Sequence, residues 1–165
     1  MTYPVFTNQQ GYLQKNVTLK NIIVIYNTIS SNSSYIRTAT FGDIFEIDLT
    51  ETDYALAHLS IEGASYTNHE LTYSFKLYIM DLVSKDEGNE NDVLADTLQV
   101  IGDYISQFKH STSLGDFEND YRFNDNVNCT PFTERFDNEV TGWVADISIT
   151  VSFNASACAG DIMTT

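Results

Sequence analysis

The stretch WVADISITVSF, residues 143–153, decides the fold because its apolar side chains alternate strictly along the chain. In an extended chain these apolar side chains share one face: Trp143, Ala145, Ile147, Ile149, Val151 and Phe153. The opposite face is polar apart from Val144. The pattern predicts a strand about 35 Å long, at ~3.3 Å per residue, with one buried face and one wet face.

Four further strands follow from the same alternation, at residues 41–49, 55–62, 72–83 and 121–129. The segment 72–83 is the clearest, because Tyr73, Phe75, Leu77 and Ile79 fall on one face. The polar segment 63–70 is short enough for a hairpin and therefore predicts that the strands on either side are antiparallel. Residues 131–143 are predicted to form a loop before the last strand.

Two helices are predicted from a different spacing. Apolar residues of the segment 91–108 recur at intervals of four and three and predict a buried stripe: Leu94, Leu98, Ile101, Ile105 and Phe108. Residues 18–31 favour a second helix with Thr18 as its N-cap. The β-branched run at 22–25 lowers helix propensity, so a strand remains the alternative for that segment.

These elements predict one α+β domain over residues 1–165, because a chain of this length buries a single core. The expected architecture is a mostly antiparallel sheet of about five strands with two helices packed on one face. The order is α-β-β-β-α-β-β. Residues 1–16 and 154–165 are expected to form extended arms.

The charge balance limits the partners of the chain. Its 23 acidic and eight basic residues give a net charge of −15, which repels phosphate backbones. The basic residues are scattered, so sequence-specific nucleic-acid binding is not expected, whereas a basic partner remains open. No apolar run is long enough for a membrane span and no export signal is evident, so we expect neither membrane insertion nor export.

The polar residues contain no arrangement typical of catalysis or metal binding. The chain lacks a Gly-x-Ser-x-Gly elbow, a phosphate-binding glycine loop and closely spaced His and Cys pairs. The acidic residues around Gly88 lack EF-hand spacing and favour a solvated helix start over a structural ion. Cys129 and Cys158 are expected to be reduced thiols, with a disulfide as the alternative. We therefore predict no enzyme activity, no metal and no cofactor.

The segment 131–143 combines Phe132 and Phe136 with several charged residues. Two aromatic rings in a predicted loop need a surface to cover them. The segment either packs on its own domain or docks on a neighbouring subunit.

Two stretches resemble a known class of protein: MDLVSKDEGNE (80–90) running into DVLADTL (92–98), and PFTERF (131–136) followed by Gly142 and Trp143. They are similar to small virion proteins of tailed bacteriophages, in particular the crAss-like phages. With the order of elements, the chain resembles head–tail connector proteins of the tail-terminator or tail-completion class.

This resemblance implies a structural virion protein of the neck or tail, made in the cytoplasm of a host bacterium. It implies a homo-oligomeric ring of six or twelve copies, stacked on other connector, portal or tail proteins. DNA is expected to pass through the ring without specific binding. The alternative is a capsid decoration protein or a glycan-binding surface module of a virion.

Two sets of residues follow as expectations for such a ring. A ring closed by head-to-tail contacts needs two different complementary patches on each subunit. The expected subunit interface comprises Phe132, Glu134, Arg135, Phe136, Asp137 and Glu139, with the two arms. The expected channel-facing acidic residues are Asp43, Glu46, Asp48, Asp86 and Glu87.

Overall fold

The computed structural model describes residues 18–44, 47, 52–67, 69–84, 86, 88–110, 121–135 and 139–153. The elements in chain order are α1 (Leu19–Asn32), β1 (Thr38–Phe41), β2 (Leu56–Tyr66), β3 (Glu70–Leu82), α2 (Glu90–His110), β4 (Tyr121–Phe123), β5 (Asn128–Arg135) and β6 (Glu139–Ser152). The α+β class and the predicted order are confirmed. The last part of the chain contains one strand more than predicted.

The strands form one sheet in the spatial order β1-β2-β3-β6, with β4 and β5 both paired along the outer side of β6. β1 is parallel to β2, and every other pair is antiparallel. The sheet is therefore mixed, although mostly antiparallel as predicted. β2 and β3 form the predicted hairpin.

The central pair, β3 and β6, runs without interruption from Glu70 opposite Ser152 to Leu82 opposite Val140. Gly142 lies opposite Met80 in this ladder. A Cβ atom added at Gly142 would lie 1.9 Å from the carbonyl oxygen of Ile79, much closer than atoms can approach. Only glycine therefore fits at this position of β6.

The main core lies between the helices and one face of the sheet. It takes the alternating side chains predicted for the two long strands, including Phe75, Leu77, Ile147 and Ile149. α2 packs across β3 and β6. The indole Nε1 of Trp143 donates a hydrogen bond of 2.8 Å to the carbonyl oxygen of Leu94, which ties α2 to the sheet.

α1 is a helix, so the strand alternative is excluded. The predicted N-cap is confirmed: the Thr18 side chain accepts from the backbone N–H of Asn21, whose side chain accepts from the backbone N–H of Thr18. Ile22, Ile25 and Tyr26 are fully or almost fully buried. This burial outweighs the weak helix propensity of the β-branched run.

A chain of hydrogen bonds joins the two helices. The Ser30 hydroxyl donates to the carbonyl oxygen of Tyr26 at 2.9 Å and lies 2.6 Å from the Tyr104 hydroxyl, which is therefore the donor in that contact. Burial raises the pKa of Tyr104 to about 12, which keeps this donor protonated. The Tyr26 hydroxyl in turn donates to the carbonyl oxygen of Thr40 in β1.

The prediction that Leu98 belongs to the buried stripe of α2 is wrong, because this side chain is 40% exposed. Its neighbour Thr97 is completely buried, and Val93 and Val100 are almost completely buried. Thr97 tolerates burial because its hydroxyl donates to the carbonyl oxygen of Val93 at 2.6 Å. The buried face is therefore turned from Leu98 toward Thr97.

The first predicted strand is also misplaced. Of the described residues in 41–49, only Phe41 lies in a strand, and that strand, β1, occupies Thr38–Phe41. Gly42 ends β1 with a φ of 134°, a conformation that side chains other than glycine rarely adopt.

The predicted strand at 121–129 is split into β4 and β5, and much of the predicted loop at 131–143 belongs to β5 and β6. Phe123 of β4 lies opposite Ile149 of β6, and Asn128 of β5 lies opposite Asp146. The chain therefore has two more residues between these positions than β6 has, so the pairing with β6 shifts by two residues from β4 to β5. An insertion of two keeps the same face of the strand toward the core.

A second, smaller cluster lies on the opposite face of the sheet, at the end of β3. Leu56, Met80 and Val140 are buried there. Partly buried residues pack around them: Ile44, Ile47, Tyr54, Tyr78 and Phe132. The rest of this face carries polar residues, including a hydroxyl pair between Thr72 and Thr150 at 3.0 Å.

We expect Leu98→Asp to leave the domain folded, with a loss within about 1 kcal/mol, because that side chain is partly in water. Ile101→Asp, one turn further on the buried face, should lower the free energy of unfolding by more than about 4 kcal/mol. Urea denaturation followed by circular dichroism measures both. Equal losses in the two variants would contradict the orientation of α2.

Gly142→Ala should destabilise the protein by more than about 3 kcal/mol, because the added methyl group collides with the backbone of β3. The control is Gly102→Ala in α2, where an added Cβ meets no atom within 4 Å. That change should raise stability by about 0.5–1 kcal/mol through helix propensity. Thermal unfolding that shows no difference between the two variants would contradict the β3–β6 register.

Candidate functional site

The side of α2 next to α1 carries an acidic face formed by Asp92, Asp96 and Asp103, all of them exposed. Spacings of four and seven residues place the three carboxylates within about 40° of one another around the helix axis. The rest of the exposed surface of α2 is short or uncharged, with Ala95, Gln99 and Gly102. The acidic face of α2 is therefore a row of three carboxylates on a helix whose other exposed side chains are uncharged.

Tyr35 lies within reach of the charges of Asp96 on the acidic face and of a fourth carboxylate, Asp81. The Tyr35 hydroxyl donates to Asp81 at 2.7 Å, and Asp81 lies at the end of β3. Burial, the hydrogen bond to Asp81 and the negative charges of Asp81 and Asp96 together raise the pKa of Tyr35 well above its ordinary value. The phenol therefore remains a neutral donor in a region of negative potential.

The loop before α2 uses Asp86 for its own structure. Its carboxylate accepts from the Ser84 hydroxyl at 2.6 Å and from the backbone N–H of Gly88 at 3.2 Å. These hydrogen bonds hold the pKa of Asp86 below its usual range, so the exposed carboxylate stays ionised. Asn89 closes the same loop by accepting from Ser84.

The predicted channel-facing residues do not form one group in the described structure. Asp43 is exposed and follows β1 at the edge of the sheet, whereas Asp86 is exposed in the loop between β3 and α2. Glu46, Asp48 and Glu87 lie outside the described residues. The acidic face of α2 was missed because only the acidic residues at the helix start were considered, although the spacing of Asp92, Asp96 and Asp103 on one helix face was readable.

The predicted interface residues occupy a sheet edge. Phe132, Glu134 and Arg135 belong to β5, and Glu139 begins β6. Phe136 and Asp137 lie outside the described residues. The ring of Phe132 packs edge-on to Tyr78 at 6.2 Å between centroids, so this side chain packs on its own domain. A role of these residues in subunit contact stays a prediction.

Among the described residues, three basic side chains are paired with carboxylates at the surface: Lys109 with Asp125 at 2.8 Å, Arg122 with Glu70 at 3.3 Å and Lys76 with Asp146 at 3.8 Å. None of these pairs involves the acidic face of α2. The salt bridges therefore leave that face negative.

The described residues contain no group suited to a metal ion and no helix with the length and apolar character of a membrane span. A cleft of about 170 Å³ lies between the end of α1 and the middle of α2, bordered by Ile29, Asn32, Ser33, Asp103, Tyr104 and Gln107. That volume is below the ~300 Å³ of ordinary small-molecule sites. The cleft is therefore smaller than the sites that bind ordinary small molecules.

His58 of β2 is a buried titratable residue, with 1% of its surface exposed, and both nitrogens of its ring bond to residues of β1 or next to it. Its Nε2 lies 2.9 Å from the carbonyl oxygen of Gly42, which can only accept, so Nε2 carries the hydrogen. Nδ1 then accepts from the Thr40 hydroxyl at 2.6 Å. Burial lowers the pKa of His58, although the hydrogen bond to Gly42 and the charge of Asp43 act in the opposite direction.

No protein-family model and no curated protein sequence matches the chain.

We expect stability to fall as the pH drops below about 6.5, the ordinary pKa of histidine. The unfolded chain then takes up a proton on His58 that the folded protein does not, so the free energy of unfolding decreases by up to about 1.4 kcal/mol per pH unit. His58→Gln should flatten the dependence between pH 6.5 and 5.5. Urea titrations at each pH measure it.

His69→Gln is the control, since His69 is exposed in the β2–β3 hairpin. It should keep the pH dependence of the wild type. An unchanged slope in His58→Gln would mean that other groups cause the acid sensitivity.

Proposed function

We propose that this chain is a structural subunit of the neck or tail of a tailed bacteriophage, a head–tail connector or tail-terminator protein. It acts in a homo-oligomeric ring of six or twelve copies around the DNA channel. It contacts further connector, portal or tail proteins of the virion. This proposal rests on the resemblance of residues 80–98 and 131–143 and on the acidic surface.

The observation that carries the proposal is the acidic face of α2. Asp92, Asp96 and Asp103 are exposed, and within the part of the chain that the structure describes none of the three forms a salt bridge. A channel through which packaged DNA slides must not bind it. Carboxylates within a Debye length of ~8 Å repel the phosphates and keep the duplex from adhering to the wall.

The helix is suited to this task because its acidic side chains stand on a rigid element. α2 is anchored by Trp143 and by buried residues such as Ile101 and Phe108. The exposed residue beside this row between Asp96 and Asp103 is the uncharged Gln99. In the proposed ring α2 therefore faces the bore, with the sheet behind it.

The double variant Asp96→Lys/Asp103→Lys tests this placement in the assembled protein. If α2 lines the bore, charge reversal gives the ring a basic inner wall, and its affinity for a short DNA duplex should rise at least tenfold at low salt. The affinity should fall again as salt is added. Fluorescence anisotropy of a labelled duplex measures it.

The control variant Asp53→Lys/Glu62→Lys makes the same change in net charge at two exposed carboxylates outside α2. It should bind DNA much more weakly than the α2 variant. Equal binding by the two variants would mean that net charge, and not the bore, governs the effect. Cryo-electron microscopy of the same sample supplies the copy number, and a ring with α2 on its outer rim would contradict the proposal.

A further inference from the structure

The cleft between α1 and α2 has a buried floor and a polar rim. Ile29 and Tyr104 border it and are 6% and 1% exposed, so they form the floor. Asn32, Asp103 and Gln107 border it and are exposed, so they form the rim. The cleft therefore offers carbon atoms to the stem of an occupant and oxygen atoms to a polar group at its end.

The size of the cleft suits one long side chain. Its volume of about 170 Å³ is too small for most small-molecule ligands, whose sites begin near ~300 Å³. A cavity of ~150 Å³ is known to hold benzene, which is similar in size to the end of an arginine side chain. Because the rim residues are exposed, an occupant can enter from outside.

Two independent sources of negative charge meet at this cleft. Asp103 of α2 is exposed and forms no salt bridge within the described ranges. α1 ends here at Asn32, and the carboxyl end of a helix carries partial negative charge because its last carbonyl groups lack helical partners. The last turn of α1 contains no basic residue, and none of the described residues that border the cleft is basic. The charge of the cleft therefore favours a cation.

We propose that this cleft binds the side chain of an arginine presented by a partner protein. A guanidinium has five N–H donors in one plane, so it can donate to Asp103 on α2 and to carbonyl groups at the end of α1 at the same time. The methylene groups of the arginine lie on the floor. The ammonium group of lysine is compact and more strongly hydrated, so it suits acceptors on two sides less well.

This inference goes beyond the proposed ring, which assigns no partner to the cleft. Of the three aspartates of the acidic face only Asp103 borders the cleft, so a bound arginine leaves Asp92 and Asp96 negative. The net charge of −15 attracts a basic segment of another protein and orients its approach. The ring proposal depends on DNA binding by lysine variants, so a failure here leaves it standing.

A short peptide tests the cleft directly. The full chain, labelled at its isoleucine methyl groups, is titrated with Ac-Gly-Arg-Gly-NH2 and followed by NMR. The Ile29 signal should move and saturate with a Kd on the order of 1–10 mM, because one exposed ion pair and a small contact stabilise the complex weakly. The signal of Ile61, which is 39% exposed on β2, should stay in place. Equal movement of both signals would overturn the proposal.

Two further peptides test the chemistry of the occupant. Citrulline has nearly the shape of arginine without its charge, so Ac-Gly-Cit-Gly-NH2 should bind at least fivefold more weakly. The lysine peptide should bind about two- to fivefold more weakly than the arginine peptide. Equal affinity of the citrulline peptide would show that charge is not recognised, and equal affinity of the lysine peptide would overturn the assignment to arginine.

Asp103→Asn tests the carboxylate at the rim. It should weaken binding of the arginine peptide by about three- to tenfold, because it removes a charged acceptor at an exposed site where the fold is not at risk. The control is Asp92→Asn, which makes the same change on the same acidic face but about 16 Å away along the helix, twice the Debye length of ~8 Å. It should change binding less than twofold. Equal losses would mean that the acidic face, and not the cleft, attracts the peptide.

Asn32→Lys tests the contribution of α1. It places a cation of this chain at the end of α1 beside the cleft and should weaken binding of the arginine peptide at least fivefold. Ser65→Lys adds the same charge at an exposed residue of β2 and should have less than a twofold effect. Equal effects of the two lysines would overturn the role of the helix end.

Discussion

The antiparallel pairing of β3 with β6 is the contact on which the remaining structure depends. It aligns Phe75 and Leu77 with Ile147 and Ala145 on one face, so the helices find a continuous apolar surface. The pairing is tight enough at Gly142 to exclude any side chain. β2 is then added to β3 as a hairpin, and β4 and β5 are added to β6. If the pairing of β3 with β6 shifted by one residue, the apolar side chains of the shifted strand would face water instead of the core.

Much of this central part follows from the sequence. The alternation in 72–83 and 143–153 has a period of two, and only one face of each strand is apolar, so element type and buried face are both readable. The resulting hairpin at 63–70 is equally local. The parallel pairing of β1 is different, because Thr38–Phe41 is short and its partner lies fifteen or more residues away. Nothing in a four-residue segment specifies such a partner.

Two errors in the sequence interpretation have physical causes. Leu98 and Thr97 are neighbours on a helix, and hydropathy alone favours the leucine for burial. Thr97 wins because its hydroxyl is satisfied within its own helix, which removes the penalty for a buried polar group. Residues 131–143 were predicted to form a loop, but Pro131 lies in β5, which is an outermost strand in the described part of the chain and tolerates proline because one side of its backbone has no strand to bond there. At the candidate site, the spacing of Asp92, Asp96 and Asp103 is readable, whereas the partner that the helix faces depends on assembly.

Trp143 also makes the domain convenient to observe. It is the single tryptophan of the chain, and its indole sits between β6 and α2 with its N–H bonded to Leu94. Indole fluorescence depends on the polarity and hydrogen bonding around the ring. The protein therefore carries one built-in optical reporter at the junction of its helix and its sheet. The emission of that reporter can distinguish separation of α2 from a local change elsewhere, without any attached label.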